Sequence, residues 1–168
     1  MLDFENAVKL IAVGAFSGAA VFGFGAGTAI GDTGKLMATL PPGFSSANCQ
    51  EATPDAPAVE AVNCDKSSEA GGPTGAAFIL YSNPDDMAAG FKKAKLTLAS
   101  SCPGNERSPG PWGHGTSSTD GGQVECGTVQ ADSGTTPAVV WSDSAKLRVG
   151  MILGTDINSL YQWWKAKG

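Results

Sequence analysis

Between Leu10 and Gly31 the chain runs for 22 residues without a charge, LIAVGAFSGAAVFGFGAGTAIG. A helix rising about 1.5 Å per residue would cross the roughly 30 Å hydrocarbon layer of a bilayer over that length. A secretory signal would want a basic leader, a shorter apolar run and a small-x-small cleavage site. The leader MLDFENAVK instead sets Asp3 and Glu5 against Lys9, and the first cysteine, Cys49, is too far away for a lipobox. The run reads as a transmembrane helix over 10–31. A short cytoplasmic tail over 1–9 precedes it, and a helix extension and linker over 32–44 follow.

Glycine sets what this helix needs. Gly14 and Gly18 are four apart, as are Gly23, Gly27 and Gly31. Small residues at that spacing make a flat groove in which a second helix gains close dispersion contacts. Each glycine also weakens a helix by about 0.8–1 kcal/mol relative to alanine in water. A packed partner is therefore expected within the lipid bilayer, a helix of another integral membrane protein or of a second copy. Gly23-Phe-Gly25-Ala-Gly27 only approximates a dinucleotide fingerprint and has no strand before it, so no cofactor is expected.

The cysteines place the rest. Cys49, Cys64, Cys102 and Cys126 all follow the run, with no CxxC among them. Four widely spaced cysteines among 23 glycines and 10 prolines read as two disulfides in an oxidising compartment rather than a zinc site. Three pairings are possible. The local one, Cys49–Cys64 with Cys102–Cys126, closes loops worth about 3 kcal/mol each. The reading is a cell-membrane protein with one span and its C-terminal domain, 45–168, extracytoplasmic. A net charge of −5, with 11 Lys+Arg against 16 Asp+Glu, argues against nucleic acid, which needs clustered basic side chains.

Within that domain the pattern is α+β, an antiparallel sheet backed by helices. Val59–Cys64 and Ala76–Tyr81 read as strands separated by Gly71-Gly72-Pro73. Asn83, Pro84, Asp85 and Asp86 start a helix that should run to about Ser100, with Met87, Phe91, Ala94 and Leu98 on one face. Residues 102–122 read as a long loop. Gln123–Gln130, Pro137–Ser142 and Leu147–Leu153 then form a meander. Thr155 or Asp156 caps a last helix, burying Ile157, Leu160, Tyr161 and Trp164.

No residue set for catalysis stands out. His114 is the lone histidine and reads as a solvated loop residue, with no GxSxG elbow to serve. One histidine leaves no metal site, and Asp120, Glu125 and Asp132 lack the spacing of a calcium loop. Asp85 and Asp86 point apart and suit a helix N-terminus. Trp163, beside a core-facing Trp164, and Trp112 in its proline-rich loop are candidate contact residues.

Several motifs together, Cys102-Pro-Gly, Ser108-Pro-Gly-Pro-Trp112, Val124-Glu-Cys126-Gly127, Val139-Val-Trp141-Ser and Asp156-Ile-Asn-Ser-Leu160-Tyr-Gln-Trp163-Trp164, resemble a known group. It comprises the extracytoplasmic sensor-like domains of mycobacterial PknH-type serine/threonine kinases and related actinobacterial envelope proteins. The resemblance spans roughly 40–165 and is loosest in the first half. It implies two intramolecular disulfides, and binding of a small envelope ligand in a cleft rather than catalysis. No kinase domain accompanies it in these 168 residues. The expectation is therefore a non-enzymatic accessory subunit of a larger envelope membrane complex. The alternative is a stand-alone ligand-binding module, as a monomer or homodimer.

Overall fold

The computed structural model describes residues 34–168 apart from 95, 100, 115, 117, 118, 132 and 133. The run over 10–31, its glycines Gly14, Gly18, Gly23, Gly27 and Gly31, the tail over 1–9 and Asp132 lie outside the described residues. Among the described residues, no helix is long and apolar enough to cross a membrane.

The described chain runs α1 (Gly34–Met37), β1 (Cys49–Ala52), β2 (Ala58–Cys64), β3 (Gly75–Tyr81), α2 (Pro84–Lys93), β4 (Thr97–Leu98), β5 (Ser101–Cys102), β6 (Glu106–Arg107), β7 (Gly110–Trp112), β8 (Gly122–Ala131), β9 (Gly134–Asp143), β10 (Arg148–Leu153) and α3 (Ile157–Lys167). It is the α+β antiparallel sheet read from the sequence. The order across the main sheet is β1-β2-β3-β10-β9-β8-β4, with β7 also paired to β8. Two disulfides, Cys49–Cys64 and Cys102–Cys126, tie it together in the local pairing.

β8, β9 and β10 form the meander, and β10 returns beside β3. This brings GAAFILY and RVGMIL to the centre, where every residue of both strands is buried. Such uninterrupted burial requires cover on both faces, because successive side chains alternate sides. One face gathers Val62, Phe78, Val139, Trp141 and Ile152 under α1 and α3. The other gathers Ala61, Ile79, Val140, Val149 and Met151 under Met87 and Phe91 of α2.

The helix starts follow the sequence closely. Asn83 Oδ1 accepts the Asp86 N–H at 2.9 Å, and Asp156 Oδ1 accepts the Ser159 N–H at 2.8 Å, each satisfying an otherwise unpaired donor. The end of α2 does not. The helix stops at Lys93 rather than near Ser100, because Ala94 is extended (ψ 115°) and Thr97–Leu98 pairs with Thr128 and Gly127. Gly127 makes that possible, since a Cβ there would collide with the Thr97 carbonyl. Strand pairing to an open edge of β8 wins over a further helical turn.

Strands also form outside the segments read as strands. Residues 49–52 form β1, whose Cys49 sits directly opposite Cys64. The stretch 102–122 contains the β5–β6 hairpin and β7. Within the stretch over 32–44 the described helical part is Gly34–Met37, after which the chain turns; Leu36 is fully buried on the sheet.

Candidate functional site

The segment that follows the uncharged run is fastened to the sheet by a row of polar side chains. Glu60 of β2 pairs with Leu80 of β3. Leu80 pairs with Arg148 of β10, and Arg148 with Asp143 of β9. Side chains paired in this way lie on one face, so the four form a line beneath residues 36–39. Glu60 Oε2 accepts the Leu36 N–H at 2.7 Å. Arg148 Nη1 donates to the Thr39 carbonyl at 2.6 Å. Both are charge-assisted bonds to backbone, stronger than neutral ones.

Arg148 is 1% exposed. Its guanidinium stands 5.3 Å over the Phe78 ring, and its Nη2 is 3.7 Å from Asp143 Oδ2. That carboxylate also accepts from Lys146 Nζ at 2.8 Å. Burial pulls the guanidinium below its ordinary pKa, and Asp143 opposes the shift. The sequence held a signal for this row. Glu60 shares the parity of Val62 and Cys64, and Arg148 that of Ile152, so each is a charge at a core position of an apolar strand.

The second structured region is aromatic. Trp112 Nε1 donates to the Ser142 carbonyl at 2.9 Å. Its ring meets Trp164 edge-on at 5.6 Å and His114 at 4.8 Å. Trp163 is 9% exposed and packs edge-on against Phe44 at 5.8 Å. The two candidate contact residues are thus engaged in the domain's own packing: Trp163 is buried in the core, and half-buried Trp112 pins its loop. Glu106 closes the same region. It accepts from Tyr161 Oη at 2.7 Å and from Lys165 Nζ at 2.8 Å, joining β6 to α3. His114 is exposed, and its N–H donates to Asp120 Oδ1 at 2.9 Å. All four cysteines are disulfide-bonded. Among the described residues no group of three or more His, Cys, Asp or Glu could hold a metal.

On the α2 face two titratable groups are desolvated. Glu125 is buried, with Oε1 unpartnered among the described residues, and desolvation pushes its carboxyl up from 4.5 to about 7. A raised folded pKa means the folded state prefers the proton. Glu125's contribution is greatest below pH 4.5 and is lost as pH rises towards about 7. Glu125→Gln should therefore stabilise the chain at pH 8 by on the order of 2 kcal/mol, and much less at pH 4.5. Denaturation midpoints of both proteins at the two pH values test this. An equal difference at both would contradict it.

Beside the same helix a pocket of about 110 Å³ opens between the loop Pro54–Ala58 and α2, over Ile79 and Tyr81. Gly90 keeps α2 close to its floor, because a Cβ there would collide with the Tyr81 hydroxyl. Burial, with Asp86 nearby, pushes the Tyr81 phenol up to about 12, so it keeps its proton at neutral pH. Pro54, Asp55, Pro57, Tyr81 and Gly90 carry no motif that reveals this pocket. Only the pairing of Ala58 with Tyr81 brings the loop and helix together.

No family model matches the chain, and no curated protein or solved structure shows significant similarity to it.

Proposed function

We propose that the chain is a non-enzymatic single-pass membrane protein, an accessory subunit of a larger cell-envelope complex, whose 45–168 domain is an extracytoplasmic contact module. The observation that carries this reading is the double fastening of Leu36 and Thr39 to the sheet by Glu60 and Arg148. Gly31 and Leu36 are five positions apart (36 − 31), at most roughly 18 Å of extended chain. A span over 10–31 would then hold the domain close to the bilayer rather than on a long tether. That suits a module whose partner is the assembly its own helix packs into. The disulfides suit an oxidising exterior, and the glycine grooves suit close helix packing.

The test is Gly23→Leu with Gly27→Leu, which fills the groove and leaves the run apolar. In native membranes the variant should still insert but migrate at its own mass in native gels, while the wild type migrates with a larger assembly. Unchanged co-migration would overturn the docking role. The stand-alone ligand-binding alternative draws its support from the pocket under α2.

A further inference from the structure

The pocket under α2 is smaller than the roughly 300–1,000 Å³ of a drug-sized ligand site. Its size, about 110 Å³, is nearer to the engineered cavity of roughly 150 Å³ that accepts benzene. It suits one apolar group of about four to six carbons, seated against Pro54, Pro57, Ile79 and Tyr81. Charge then narrows the class. Asp55 lines it from the loop and Lys93 from the last turn of α2. Neither is ion-paired among the described residues.

A fatty-acid carboxylate would satisfy Lys93 and be opposed by Asp55. An internal residue of a peptide carries neither backbone charge, leaving both groups unused. An α-amino acid carries an ammonium and a carboxylate one carbon apart, with its side chain between them. We propose that this pocket binds a free apolar α-amino acid of about leucine size, side chain against Ile79 and Tyr81, ammonium towards Asp55 and carboxylate towards Lys93. Gly90 lets α2 sit down on Tyr81, which sets the helix wall against the floor, and Ala89, the neighbouring lining residue, is too short to fill the space. This site lies on the face opposite Glu60 and Arg148 and does not depend on the membrane reading.

The experiment is a calorimetric titration of L-leucine into the full-length chain in detergent micelles. Saturable binding is expected, weakened about tenfold or more by Lys93→Glu or by Asp55→Asn. N-acetyl-leucine amide, which has the side chain without the charges, should bind at least tenfold more weakly. Lys93 is exposed and Asp55 lies in a loop, so both variants should keep the wild-type melting temperature, which confirms their fold. Absence of saturable leucine binding, equal binding of the capped compound, or unchanged affinity in Lys93→Glu would each overturn the assignment. None of these outcomes would bear on membrane anchoring.

Discussion

Arg148→Ala should destabilise the domain by about 3–5 kcal/mol and release residues 36–39 from the sheet. The side chain is almost wholly buried and lies between three partners: the Thr39 carbonyl, the Asp143 carboxylate and the Phe78 ring. Truncation leaves a cavity under α1, an unpaired carbonyl and a fully buried Asp143 supported by Lys146 alone. Each of these has a known penalty, although Lys146 still pairs with the buried carboxylate at 2.8 Å. Arg148→Met keeps most of the volume and should lose about half as much. Two readouts separate a fastening from mere packing. Chemical denaturation gives the stability, and amide exchange at Leu36 reports whether the Glu60 bond survives. Loss of stability with Leu36 exchange still slow would mean that Arg148 packs the core without holding the incoming segment.

Replacing Cys102 and Cys126 together by alanine should lower stability by about 3 kcal/mol, from the loop of 24 residues that the bridge closes. Cys126 lies in the middle of β8 and is fully buried, while Cys102 starts the hairpin that presents Glu106 to α3. Removing the bridge should therefore also loosen Trp112 and the Glu106 contacts to Tyr161 and Lys165. Quenching of tryptophan fluorescence by a small solute should rise in this variant. The Cys49–Cys64 bridge closes a shorter loop of 15 residues at an edge strand, and its removal by Cys49→Ala with Cys64→Ala should leave quenching unchanged. A denaturation midpoint of the wild type that does not move under strong reductant would contradict the stabilising role of both bridges.

The parts of this fold legible in the sequence were those set by local chemistry. Asn83-Pro84-Asp85-Asp86 starts a helix wherever it stands, because cap, fixed φ and dipole all act within one turn. The apolar period of Ile157, Leu160, Tyr161 and Trp164 marks the last helix in the same way. Elements decided by distant partners were not legible. β4 exists because Gly127, thirty positions after Thr97 (127 − 97), leaves room for it. β7 exists because β8 offers Gly122–Val124 as an edge. The row Glu60, Arg148, Asp143 was half visible, as charges on apolar strands. Its purpose needed the register of four strands and the path of residues 36–39. The pocket was invisible, since its walls come from a loop, a strand and a helix that only the Ala58–Tyr81 pairing unites.

The proposed function makes the chain part of a membrane assembly. The most direct test is to recover the full-length protein from its native membrane in a gentle detergent and identify by mass spectrometry what accompanies it. A stoichiometric set of integral membrane proteins is expected, reduced to trace levels by Gly23→Leu with Gly27→Leu. Recovery of the chain alone, as monomer or homodimer, would contradict the accessory-subunit reading and leave the ligand-binding module in its place.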